Sequence, residues 1–314
     1  MYILRRILQA IPMLLIISIL SFALMHLAPG DPASAYITPK MNVEQVLKIK
    51  KKLGLDEPVY VQYFKWVKNI ARGDLGFSMT NYRPVSTLIK ERLPLTLKLM
   101  GAAMLISLII SFPIGLYTGY KKNKSVDKSV TLLSYIGISI PAFWLAMMLI
   151  YFFSYKLKWL PIMGIHTLGK EDSFLDAVWH SLLPITVLSI YNIAIYTRYI
   201  RTSTISQMNE PYILTETAYG FSKLKILMKY VLRNILLPII TILGMSLQNL
   251  VGGAFITETI FALPGMGRLG VGAIFSYDYP VIMATTMLIA ILLIFGNLMA
   301  DILYSIIDPR IERR

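Results

Sequence analysis

Six stretches of the chain are apolar for about 20 residues or more, approximately 8 to 28, 97 to 119, 130 to 155, 178 to 197, 235 to 257 and 281 to 304. A helix needs about 20 such residues to cross a bilayer core. Within lipid every backbone N–H and C=O must be satisfied inside the segment, which makes each run helical. The expected fold class is therefore all-α, a polytopic membrane protein with six transmembrane helices. Composition agrees, because 56% of the 314 residues are hydrophobic and only 15% are charged, against about 25% in soluble domains. The first run resembles a secretory signal, with Arg5 and Arg6 before it and Ala33-Ser34-Ala35 after it. Its apolar core exceeds the roughly 7 to 15 residues of a cleaved signal, so it reads as a retained first span.

The distribution of Lys and Arg orients the chain. With the N-terminus inside, the inner segments carry Arg5 and Arg6, then Lys121, Lys122, Lys124 and Lys128, then Arg198, Arg201, Lys223, Lys225, Lys229 and Arg233, and last Arg310, Arg313 and Arg314. The short outer segments hold only Lys156, Lys158 and Lys170 in one and Arg268 in the other. Residues 29 to 96 are also basic, but loops longer than about 60 residues translocate largely regardless of charge. Both termini are expected in the cytoplasm. The net charge of +14 reflects this retention and contact with anionic lipid rather than nucleic-acid binding.

Several chemistries are excluded or unsupported. The chain has no cysteine, which removes disulfides, Cys-ligated zinc and thiol catalysis, and its three histidines, His26, His166 and His180, form no short-spaced pair. No metal site is expected. Gly164 to Glu171, GIHTLGKE, satisfies G-x-x-x-x-G-K but places Glu171 where a magnesium-binding Ser or Thr belongs. Gly265 to Gly270, GMGRLG, satisfies G-x-G-x-x-G but follows Pro264 and a membrane span rather than a strand. Its glycines suit a re-entrant or tightly turned outer loop. The spans contain no paired acids for intramembrane proteolysis, and no catalytic residue is expected.

The outer segment after the first span turns at Pro29-Gly30-Asp31-Pro32 and then contains two short helices broken between Gly54 and Pro58. The basic insert between the fourth and fifth spans has clear punctuation. Asn209 can cap a helix with Pro211 in its first turn, Gly220 can end it in a left-handed conformation, and Ser222 can cap the next. On that second helix Leu224, Leu227 and Val231 recur at helical spacing among Lys223, Lys225, Lys229 and Arg233. Such a pair of helices could lie on anionic lipid or dock a cytoplasmic partner. Asn192, Ser246, Gln248, Asn249 and Asn297 are polar residues in later spans, costly against lipid and better placed facing protein or water.

The stretch YILTETAYGFSKLKILMKYVLRNILLPIITILG resembles the cytoplasmic coupling loop of bacterial ABC-transporter permeases of the dipeptide, oligopeptide and nickel importer group. The resemblance extends along the chain through LRRILQAIPMLLIISILSFALMHLAPGDP, LGLDEPVYVQYFKWVKNIARGDLGFSM, SIPAFWLAMMLIYFFSYKLKWLPIMG, GGAFITETIFALPGMGRLGVGAIFSYDYPVIM and NLMADILYSIIDPRIERR. Many members resemble TARAKG where this chain has TETAYG, so Ala218 and Gly220 match while Glu216 and Tyr219 depart; Leu214 stands where the broader pattern has glutamate.

The resemblance implies a type I ABC importer permease fold. Residues 1–28 would form the N-terminus and first span, 29–96 an outer cap, 97–308 a five-helix core with a coupling loop at about 199–234, and 309–314 a cytoplasmic tail. Thr215, Glu216, Ala218, Gly220, Phe221 and Ser222 would couple to ATPase subunits, and Asn192, Ser246, Gln248 and Asn249 would neighbour the translocation path. The implied partners are a second homologous permease, two cytoplasmic ATP-binding subunits, an extracytoplasmic solute-binding protein and membrane lipid. ATP and magnesium would be used by the partners, and this chain would bind no cofactor. Peptides are the expected cargo, nickel or a metal chelate the alternative. A channel would instead need symmetric copies conducting without ATPases, and an intramembrane enzyme a reactive constellation.

Overall fold

A computed structural model describes residues 2–27, 41–52, 54, 56–246 and 255–307. Among them there is no strand, only one isolated bridge between Phe77 and Pro84. The helices are α1 Tyr2–Leu27, α2 Val43–Lys52, α3 Val59–Ala71, α4 Val85–Tyr120, α5 Ser125–Ser139, α6 Ala142–Leu149, α7 Phe174–Met208, α8 Pro211–Ala218, α9 Lys223–Ile226, α10 Leu232–Ser246, α11 Phe255–Ile260, α12 Met266–Phe275 and α13 Tyr279–Ile307. Wider π-helical turns continue α6 through Ile150–Lys156 and join α9 to α10 through Leu227–Val231. One end of the bundle carries the cap, α2 and α3, with residues 72–84 and 261–278. The other carries residues 121–124 and 209–222, and is called the knuckle end below.

Among the described residues α4, α7 and the Tyr279–Met299 part of α13 are long and apolar enough to cross a membrane, and the α5–α6 pair makes a fourth if counted as one span. The first expected span contributes the shorter apolar stretch Ile11–Leu27. The fifth is described through Ser246, since residues 247–254 lie outside the described part.

Three expected spans differ from their outlines, the run 97 to 119 being the later part of α4, which begins at Val85. The run 130 to 155 is not one straight helix: it bends by 98° at Ile140-Pro141. The proline ring disfavours the helical conformation at the preceding residue, and Ile140 is accordingly extended, with ψ 121°. The run 178 to 197 is the middle of a longer helix, α7, which continues to Met208. Its charged last turns are accommodated because Arg198 lies over the Tyr135 ring at 4.4 Å, and Arg201 makes a two-pronged ion pair with Asp127 of α5, Nη2 reaching Oδ2 at 2.8 Å.

The α4–α7 crossing is the most extensive in the bundle. Small residues make it possible. A Cβ at Gly115 would fall 2.7 Å from Ile200 and one at Gly119 2.6 Å from Thr204. Ser107 Oγ donates to the Ala103 carbonyl of its own helix and to the Ser189 carbonyl across the seam. Lipid is as apolar as leucine, so close backbone approach and hydrogen bonds, rather than expulsion of water, hold such helices together.

At the cap end α3 packs on α1 through the rings of Phe22, Tyr63 and Trp66, with Ser18 hydrogen-bonded to Tyr63 at 2.8 Å and His26 to Gln62 at 3.2 Å. Gly54 has φ +70° at the break between α2 and α3. Two buried carboxylates pin the loops beneath. Asp278 accepts from Ser78 Oγ, Met79 N at 3.0 Å, Thr80 N and Thr80 Oγ1 at 2.8 Å. Glu258 accepts from Thr96 Oγ1 at 2.9 Å and Arg268 N at 2.8 Å. The loop closes over Glu258 because Gly265 has no side chain: a Cβ there would lie 2.2 Å from the Glu258 carboxyl carbon.

Candidate functional site

The knuckle is built from its glycine outward. Pro211, whose fixed φ suits a first helical turn, opens α8. The capping residue is Glu210, not Asn209. Because α7 runs on to Met208, Asn209 instead closes that helix. At the other end of α8, Gly220 has φ +77°, its N–H bonds to the Thr217 carbonyl at 3.0 Å, and the Phe221 N–H bonds to the Glu216 carbonyl at 3.2 Å. This crossed pair satisfies the last carbonyls of the helix and requires a left-handed residue at the corner. Ser222 then caps α9, its Oγ accepting from Lys225 N at 3.4 Å.

One face of the knuckle is anchored. Ile213, Ile226, Leu227 and Val231 are buried against Leu116 of α4 and Tyr196 and Ile200 of α7, in a cluster continued by Ile235 and Ile239. For the knuckle side chains that would otherwise face water, burial contributes about 1.5–3 kcal/mol each. The expected apolar stripe is shifted: Leu224 is 69% exposed and Ile226 takes its place in the core. The buried positions 227, 231, 235 and 239 recur every four residues. That interval exceeds the 3.6 of an α-helix, and the wider π turn at Leu227–Val231 accommodates it. Phe221 stacks with Tyr230, and Lys225 Nζ lies 4.0 Å from the Phe221 ring centre. Tyr230 faces Glu216, and desolvation followed by that carboxylate raises its phenol above the ordinary value.

The opposite face is bare. Leu214, Tyr219, Leu224 and Met228 are exposed large apolar side chains, and Thr215 and Ala218 are exposed beside them. Lys223, Lys225, Lys229 and Arg233 form an exposed basic rim. Of the six coupling candidates, Thr215, Ala218, Gly220 and Ser222 lie on the surface, while Glu216 and Phe221 are half-buried and hold the two helices at their angle. An apolar patch with a charged rim on a rigid corner can dock a partner, in keeping with the composition of protein interfaces.

The path candidates are brought together less completely. Asn192 is half-buried on α7. One turn on, Tyr196 reaches Ser246 of α10 with its hydroxyl at 3.5 Å, while Ser246 donates to the Ile242 carbonyl at 2.7 Å. Gln248 and Asn249 lie outside the described residues. Sequence reasoning missed Tyr196, the Asp127–Arg201 pair and the Asp278 and Glu258 clamps. The signal available was their charge or hydroxyl in otherwise apolar surroundings. It also missed that Asp176 gathers Thr167 with His166 and His180, at 3.8 and 3.7 Å from the two rings.

Comparison with known proteins agrees with this architecture. Residues 111–313 match the family described as binding-protein-dependent transport system inner membrane component, and residues 1–100 match the N-terminal model of such membrane components. The oligopeptide transport system permease protein AppB of Bacillus subtilis is 44% identical over 312 residues, covering 99% of both chains. A putative peptide permease protein of Brucella suis is 39% identical, covering 99% of this chain and 98% of its own. Probable peptide ABC transporter permease protein y4tP of Sinorhizobium fredii is 37% identical over 99% of both. The MetNI methionine ABC transporter, solved in inward-facing conformations, shares the fold with a TM-score of 0.57 at 17% identity, over 71% of this chain and 97% of that one. With its full-length relatives, its helical bundle and its knuckle, the chain belongs to the binding-protein-dependent transport system inner membrane components, as a multi-pass ABC-transporter permease of the cell membrane.

Proposed function

We propose that the chain is one of two permease subunits of an ATP-driven importer of peptides. It spans the membrane six times with both termini in the cytoplasm. Two cytoplasmic subunits bind and hydrolyse ATP with magnesium, and a solute-binding protein delivers cargo from outside. The chain itself carries out no chemistry. Peptide cargo is favoured by the full-length relatives, which are named as oligopeptide and peptide permeases.

The observation that carries the coupling role is the bare face of the knuckle, Leu214, Tyr219, Leu224 and Met228 exposed on a corner whose other face is locked into α4 and α7. ATPase subunits seated on that face move as they close on nucleotide. The displacement reaches α7 through Ile213 and Ile226, and α5 through the Arg201–Asp127 pair. Rigid linkage of this kind lets the bundle rock as a body.

The test is co-purification. Leu224→Asp places a charge in the apolar patch without touching the buried face, so the chain should insert at normal abundance while recovery of ATPase subunits falls about tenfold, as for loss of a well-packed interface side chain. Normal recovery of ATPases with Leu224→Asp and with Tyr219→Asp would overturn the docking assignment.

A further inference from the structure

We propose that the cap end of this chain holds a binding site for the free carboxylate of a peptide, formed by Arg92 of α4 and Arg268 of α12. The ligand class rests on the peptide-import reading above; the cation pair and its cavity do not. The site is a cavity of about 390 Å³ whose walls include Thr80, Asn81, Arg92, Arg268, Ser276 and Asp278. That volume lies within the range of small-molecule sites and is larger than one acidic side chain needs.

The cavity wall also carries Asp278, and Arg92 feels Glu91 and Glu258 as opposite charges as well as Arg268 as a like one. Arg92 and Arg268 act on one another as like charges, and no ion pair joins either to a carboxylate among the described residues. The two buried acids nearby are engaged by other donors. Asp278, 1% exposed, is turned into the loop and engaged by Ser78, Met79 and Thr80. Glu258, 3% exposed, is engaged by Thr96 and the Arg268 backbone N–H. Both carboxylates are thus hydrogen-bonded by neutral donors, and the two arginines line one polar cavity without a direct ion pair among the described residues. A guanidinium presents a planar fork of donors matched to a carboxylate, and two forks can clamp one. Beneath them Leu269 and Val281 are buried in the core, so the recognition falls on the polar wall. Two arginines on one polar wall suit the carboxylate at the C-terminus of a peptide.

The experiment uses the full chain in lipid nanodiscs, with trialanine as the free acid and as the C-terminal amide, followed by saturation-transfer NMR titration. The free acid should bind the wild-type chain at least about tenfold more tightly than the amide, since the charge-assisted bond to the arginines is lost. Arg92→Gln and Arg268→Gln should each remove that preference, while Lys170→Ala, on the neighbouring outer loop, should keep it. Equal binding of acid and amide by the wild-type chain would overturn the site without any need for a variant. Should neither peptide bind, while the arginine variants weaken association of the solute-binding protein, the cavity receives a protein's acidic side chain and the proposal is wrong. Preference for the free acid in a chain that imports no peptide would keep the site and overturn the import reading, so the two fail separately.

Discussion

Gly220 and Gly119 show two different reasons for glycine in one protein. At Gly220 an added Cβ would meet nothing within 4 Å, so the constraint is the backbone itself, held at φ +77°. At Gly119 the conformation is ordinary helix, and the constraint is Thr204 at 2.6 Å. Opposite consequences follow. Gly220→Val should strain the corner by about 1–2 kcal/mol and re-aim α9, weakening ATPase recovery and coupled uptake while the bundle's melting temperature in detergent changes little. Gly220→Asn, which tolerates the left-handed region, should restore much of the recovery. Gly119→Val should do the reverse, prising α4 from α7 at a cost of about 1–3 kcal/mol and lowering the melting temperature, with the knuckle surface unaltered. Equal loss of thermal stability in both variants would show that Gly220 is a packing residue and that the corner has no separate role.

At the scale of elements, the chain announces its helices by hydropathy and hides how they break and continue. The runs at 97 to 119 and 281 to 304 are legible because each apolar residue speaks for itself; α4 and α13 contain them. The knuckle is legible because Pro211, Gly220 and Ser222 carry local backbone rules. What cannot be read locally depends on partners distant in sequence. Arg198 and Arg201 mark the end of a span by their charge, yet α7 continues because Tyr135 and Asp127 receive them. Leu224 fits the helical stripe, yet the π turn that follows hands its place to Ile226. The break at Pro141 has a local signal, masked by the unbroken hydropathy around it. It is also measurable. Spin labels at Ser129 and Tyr155 in this cysteine-free chain would stand about 39 Å apart along one straight helix at 1.5 Å per residue. A 98° bend at residue 140 brings those backbone positions to about 26 Å by the same rise. A distribution centred near 39 Å would refute the bent arrangement, and Pro141→Ala should move the wild-type distribution outward if the proline ring is its cause.

For the whole molecule, the two ends of the bundle differ in kind, and that difference allows orientation and docking to be tested together. The knuckle end gathers Lys121, Lys122, Lys124, Lys128 and the basic rim of α9, as expected of a side retained in the cytoplasm. The cap end is organised instead by neutral donors closing on Asp278 and Glu258. Leu168, 95% exposed, marks the cap end; Lys122 and Leu224, both exposed, mark the other. Single cysteines at these positions leave every buried contact intact. In intact cells, with the outer layers made permeable, a membrane-impermeant maleimide should label only Leu168→Cys. In inverted membrane vesicles the pattern should reverse, with Lys122→Cys and Leu224→Cys reactive. Adding the ATPase subunits supplies the second arm: if they sit on the bare apolar face, Leu224→Cys should lose most of its labelling, while Lys122→Cys, outside that face, continues to react at its former rate. Labelling of Lys122→Cys from outside would invert the topology. Unchanged labelling of Leu224→Cys in an assembled, uptake-competent complex would leave the topology standing and remove the docking face from the knuckle, because a side chain inside a well-packed interface is closed to solvent and to the reagent alike.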